Sequence, residues 1–80
     1  MATSYRISRN RNFSSRNDEL IKSIEGVYQY LDHAIDRASD LKLFSLPDGT
    51  IRLYDRDATD KEILADIAGY DAVGSIEEVV

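Results

Sequence analysis

Residues 17–41 constrain this chain more than any other stretch. Leu20, Ile24, Val27, Leu31, Ala34, Ile35 and Ala38 recur at steps of mostly three and four, flanked by Ile21, Tyr28, Tyr30 and Leu41. A 3.6-residue turn gathers such positions on one side, whereas a strand would need steps of two. The spacing therefore predicts one long amphipathic helix. Asn17 is its expected N-cap, with Asp18 and Glu19 suited to the positive end of the helix dipole. Asp18 and Lys22 are spaced as a favourable i,i+4 pair. Gly26 opposes the helix, at a cost of roughly 0.8–1 kcal/mol relative to Ala.

The far side of that helix would carry Glu25, Gln29, Asp32, Asp36 and Asp40. Asp32–Asp36 and Asp36–Asp40 are like-charge i,i+4 pairs, each mildly destabilising. One reading is a solvated surface that serves solubility. The other is an acidic ridge held out to a basic partner surface. His33 is the sole histidine and the chain has no cysteine. That composition offers no Cys-ligated metal, no disulfide, no thiol nucleophile and no His relay.

With 80 residues the chain has room for a single domain with a small core. Mean hydropathy of −0.40 fits a water-exposed globule. No apolar run approaches the length of a membrane span, and the first residues lack the apolar core of a secretory leader, so a cytoplasmic setting is expected. Net charge is −5, unevenly spread. Residues 1–17 hold four arginines and no acid, while residues 18–80 hold all fifteen acids and the other six bases. The body repels phosphates and the arm attracts them.

The first 16 residues read as a basic arm, either flexible or forming an edge strand at residues 4–8. A hairpin follows the long helix. Residues 41–46 and 50–54 flank Pro47-Asp48-Gly49, a three-residue loop in which Pro presets φ and Gly takes the left-handed position. Pairing Leu46 with Thr50 places Leu43–Leu53 and Ser45–Ile51 on one face, directed at the helix. Lys42–Tyr54 and Phe44–Arg52 then share the other. Bases mixed with aromatics suit stacking on single-stranded nucleic acid, or else form an ordinary amphipathic outer surface.

The acid-rich run 55–62 fails as a calcium loop, because its sixth position is Asp60 where a sharp-turn Gly is required. Thr59 and Glu62 instead form a capping box for a helix over residues 60–68, with Ile63, Leu64 and Ile67 inward and Gly69 as its stop. Beyond it, Ser75 and Glu78 allow a short third helix, with a terminal strand as the alternative. A helix-turn-helix likeness fails on charge, since Asp71, Glu77 and Glu78 would meet DNA.

The fold class expected is α+β: a long amphipathic helix packed on a β-hairpin, with an N-terminal edge strand as an optional third strand and one or two short C-terminal helices. Residues 17–80 form the compact domain. The expected function is a small acidic non-catalytic protein-binding module, an adaptor or inhibitor, masking a basic nucleic-acid-binding groove of its partner. Its partner-binding residues are Glu25, Gln29, Asp32, Asp36 and Asp40. The alternative is RNA or single-stranded DNA binding through Arg6, Arg9, Arg11, Arg16, Lys42, Phe44, Arg52 and Tyr54. No catalytic residue, metal, cofactor or membrane contact is expected. A homodimer through Tyr28, Tyr30 and Val79–Val80 is a lower-ranked option.

Overall fold

A computed structural model describes residues 3–10 and 18–79, the side chain of Asp18 excepted. In chain order the elements are β1 (Ser4–Arg9), α1 (Asp18–Ile24), β2 (Gly26–Tyr28), α2 (Leu31–Arg37), β3 (Lys42–Ser45), β4 (Ile51–Tyr54), α3 (Asp60–Ala65) and β5 (Gly74–Val79). Among the described residues all five strands join one sheet in the order β2-β1-β5-β4-β3, antiparallel throughout.

The long helix over residues 17–41 does not form, and the picture of such a helix packed on a hairpin is overturned. Two seven-residue helices take its place, separated by a strand. The break falls at Gly26, which adopts φ +153°, a conformation open to glycine and rare for other residues. Val27 and Tyr28 after it are strand formers, and β1 offers them a pairing edge: Tyr5 to Tyr28, Arg6 to Val27, Ile7 to Gly26. Val27 leaves the apolar stripe and is 60 % exposed. Tyr28 bends back and its hydroxyl donates to the Ile24 carbonyl at 2.7 Å, satisfying one of the carbonyls that the end of α1 leaves open. The expected Asn17 cap lies outside the described residues, as does the Asp18 side chain that a pair with Lys22 would need.

β1 is an interior strand, not a flexible arm or an edge, because it hydrogen-bonds β2 on one side and β5 on the other. Residues 74–79 are a strand, so the third helix is not formed. The hairpin itself has the register its turn predicts: Lys42 to Tyr54, Leu43 to Leu53, Phe44 to Arg52, Ser45 to Ile51. The Leu46 amide closes it on the Thr50 carbonyl at 2.8 Å.

Side chains alternate between the two faces of a sheet. Ile7, Ile76 and Ile51 stand abreast on one face, and Gly74 and Leu53 form the next row. α1 and α2 cover this face with Ile21, Ile24, Ala34 and Ala38, and the core includes Leu41 and Val73. Full burial of each Ile or Leu contributes about 1.5–3 kcal/mol. Gly74 permits the close fit. A Cβ there would strike the Ser8 carbonyl oxygen and come within 3.0 Å of Ile21 Cδ1. α3 lies on the opposite face, where Tyr54, Ile63 and Ala72 form a second, smaller cluster with Phe44 and Ala58 against it. The sheet is thus the middle of three layers.

Candidate protein-docking surface

The acidic residues singled out from the sequence divide between separate elements. Glu25 follows α1, and its carboxylate lies 3.7 Å from Arg9 Nε. Gln29 is exposed in the bend between β2 and α2. Asp32 and Asp36 stand one turn apart on α2, both exposed, with Asp40 exposed in the turn beyond it. The inward side of the helix supplies Ala34 to the core, with Leu31 and Ile35 packed against it. The acids of α2 are therefore on its outer side, but Glu25 and Gln29 do not continue them as one helical ridge.

The basic and aromatic residues of the alternative reading fare differently. Arg6 is exposed on β1, opposite Val27 on one neighbour and Glu77 on the other. Arg9 is occupied by Glu25. Arg11 and Arg16 lie outside the described residues. Lys42, Phe44, Arg52 and Tyr54 do share a face, but α3 packs on it. Lys42 Nζ is 3.8 Å from Asp60 of α3. Phe44 rests against the Tyr54–Ile63 cluster. Tyr54 is only 2 % exposed, so its ring is not offered to a base.

Arg52 and Tyr54 have another task. The Arg52 guanidinium donates to the Asp66 carbonyl at 3.0 Å and the Ile67 carbonyl at 3.1 Å. These carbonyls follow the last turn of α3, where helical partners run out. The Tyr54 hydroxyl donates to the Asp66 carboxylate at 2.8 Å, and that carboxylate also accepts the Asp71 amide at 3.1 Å. Burial first, and then the hydrogen bond to Asp66, push the Tyr54 phenol above its ordinary pKa. Just past β1 the Asn10 side-chain amide reaches the carbonyls of Gly69, Tyr70 and Ala72, the last at 2.9 Å. Gly69 turns at φ +78°, and a Cβ there would meet the Arg52 guanidinium at 3.0 Å. Residues 66–72 are thus fastened along their length by side chains from β4 and by Asn10, which follows β1.

The fastened segment holds apolar side chains out to solvent. Ile67 is 86 % exposed and Tyr70 is 70 % exposed, and Leu64 at the end of α3 is 66 % exposed. The sequence pattern expects Leu64 and Ile67 inward on a helix reaching residue 68. That helix stops at Ala65: Asp66 leaves the helical conformation at ψ 66°, and the amides of residues 66 and 67 bond the carbonyls of Ile63 and Ala65 instead of continuing the helical ladder, so of its apolar residues only Ile63 is buried. A cleft of about 330 Å³ lies beside Leu64, between α3 and the edge strand β3, lined by Lys42, Leu43, Phe44, Asp60 and Ile63. On the other side Tyr70 borders a broader polar groove of about 460 Å³ with Ser8 and Ser75 along it. Arg52, Asp48 and Glu77 also line that groove, a mixture of charges that specifies no ligand.

Where α3 begins, the capping box is formed as its spacing predicts. Thr59 Oγ1 accepts the Glu62 amide at 3.2 Å, and the Glu62 carboxylate accepts from Thr59 N and Oγ1. These bonds hold the Glu62 carboxyl below its ordinary pKa. Among the described residues no group of three or more His, Cys, Asp or Glu could hold a metal ion. Nor is any helix among them long and apolar enough to cross a membrane. Comparison with protein-family models, curated proteins and solved structures returns no match for this chain.

Proposed function

We propose that this chain is a small acidic protein-binding module, an adaptor or inhibitor that works without catalysis by occupying a basic surface of another protein. The observation that carries the proposal is the outer side of α2, where Asp32 and Asp36 are exposed with Asp40 just beyond them. Those side chains contribute nothing to the core, and their mutual repulsion slightly opposes the helix that bears them. A surface kept at a small cost in stability is reasonably read as a working one. A basic groove that ordinarily receives nucleic acid has the complementary charge. Binding of nucleic acid by this chain itself has less support, since Tyr54 is buried and Lys42 and Arg9 lie beside acids.

The test is capture from extracts of the native host by immobilised protein, with nuclease present, comparing wild type with the D32N/D36N/D40N variant. The expected result is a nuclease-resistant partner retained by wild type and largely lost from the variant at an unchanged thermal midpoint. Equal capture by both would remove this face as the binding surface.

A further inference from the structure

We infer that residues 64–70 form a preorganised anchor that seats in an apolar groove bordered by Lys or Arg on a partner protein. The inference rests on the reading that this chain acts by binding a protein, and it adds a second contact surface remote in sequence from α2. Leu64, Ile67 and Tyr70 follow one another at intervals of three and are all largely exposed. A single exposed apolar side chain needs no explanation, but a group of them rimmed by polar residues marks an interaction site.

Three features favour such an anchor over an idle loop. The backbone that carries Ile67 and Tyr70 is already fixed by Arg52, Tyr54 and Asn10, so little further ordering is needed on binding. An aromatic and two aliphatic side chains on a fixed backbone have the makeup of an interface hot spot. Leu64 also lines, with Phe44 and Ile63, the cleft of about 330 Å³, which has room to admit an apolar side chain from the other molecule.

Charge selects the occupant. Asp60, Glu62, Asp66 and Asp71 surround the anchor against Lys61 and the partly buried Lys42 and Arg52, so its surroundings are acidic on balance. The chain as a whole carries −5. A second copy would bring an equally acidic rim against this one, and nucleic acid would bring phosphates. A protein groove with an apolar floor and a basic border matches both the side chains and the rim.

The decisive experiment places the photocrosslinker p-benzoylphenylalanine at position 67 or 70 of the full chain and, as a comparator, at exposed position 30 beside α2. Each version is irradiated in the native host, and the adduct is mapped by mass spectrometry. Adducts at 67 and 70 should join one protein, through a peptide in which apolar residues adjoin Lys or Arg. The I67D/Y70A variant should capture that protein about tenfold less well, as expected for loss of hot-spot side chains, without a change in thermal midpoint. Adducts at 30 with none at 67 or 70 overturn the anchor and leave the α2 reading standing. Adducts at none of the three positions remove both. Crosslinks from 67 and 70 only to a second copy, to nucleic acid or to an acidic peptide also overturn the anchor.

Discussion

Replacing Tyr54 with Phe tests how the docking segment is held. The substitution keeps the ring that packs with Ile63 and Ala72 and deletes only the hydroxyl, which donates to Asp66 at 2.8 Å. A hydrogen bond to a charged acceptor contributes roughly 1.5–3 kcal/mol when both ends are shielded. Asp66 is only half-buried, so water can replace part of what the carboxylate loses. The expected loss is therefore about 1–1.5 kcal/mol, at or below the lower end of that range. For a domain of this size each kcal/mol moves the thermal midpoint by roughly 4–8 °C, so a fall of about 4–12 °C is expected. Urea denaturation should give a lower midpoint at an unchanged slope. Hydrogen exchange should quicken at the Asp71 amide, which shares the Asp66 carboxylate. The pH dependence gives an internal control. Folding raises the Tyr54 pKa above its ordinary value of 10.0, so the stabilisation is complete below pH 10 and is lost as pH rises through the folded-state value. The gap between wild type and variant should accordingly close in alkali. An unchanged midpoint at pH 7 would refute the reasoning and leave the fastening of the segment from the sheet to Arg52 and Asn10.

Other perturbations follow from the same contacts. Gly74→Ala forces a methyl group onto the Ser8 carbonyl oxygen and Ile21, so it should cost about 3 kcal/mol or more, at the upper end of overpacking penalties. Chemical denaturation reads this directly, and wild-type stability in the variant would mean that β1 and β5 can part freely. Thr59→Ala removes the capping box of α3 and should lower the thermal midpoint by about 4–8 °C at neutral pH. Because Thr59 holds the Glu62 carboxyl below its ordinary 4.5, its contribution is present above that pH and fades as pH falls through the folded-state value. Melts of Thr59→Ala and wild type should therefore draw closer in acid, leaving the part of the gap that the Glu62 amide's bond to Thr59 Oγ1 contributes; a constant gap down to pH 2 would contradict the assigned cause.

Features fixed by a few neighbouring residues were legible in the sequence. Pro47-Asp48-Gly49 specifies the loop, and the loop specifies the register of β3 on β4. Thr59 and Glu62 locate the start of α3 in the same way. The error over residues 17–41 has a physical origin. Apolar steps of three and four also fit two short helices joined by a strand, and the side chains of the two halves meet on the same sheet. Gly26 counts as a modest penalty within a continuous helix, but it becomes decisive once Val27 and Tyr28 can pair with β1. That pairing partner is about twenty residues away, beyond the reach of any local pattern. The docking segment was hidden for the same reason. Ile67 extends the helical period of Ile63 and Leu64, and nothing nearby in sequence announces that Arg52 and Tyr54 from β4 will hold residues 66 and 67 in the turn beyond α3. Of the acidic positions, Asp32 and Asp36 keep their relation because they fall within one short helix, while Glu25 is separated from them by β2.

β1 and β5 are adjacent in the sheet, with Ser4 opposite Val79 and Ile7 opposite Ile76. This pairing brings together strands from the two extremes of the described chain, and it lies between the β2 edge and the β4–β3 hairpin. During synthesis, β1 leaves the ribosome about seventy residues ahead of its partner. The central hydrogen-bond ladder cannot be laid down until β5 has emerged. The hairpin and α3 can assemble locally in the meantime, whereas Ile7 and Ile21 await the strand against which they pack. The domain is therefore built like a clasp, whose two halves are made separately and which fastens last, at its middle.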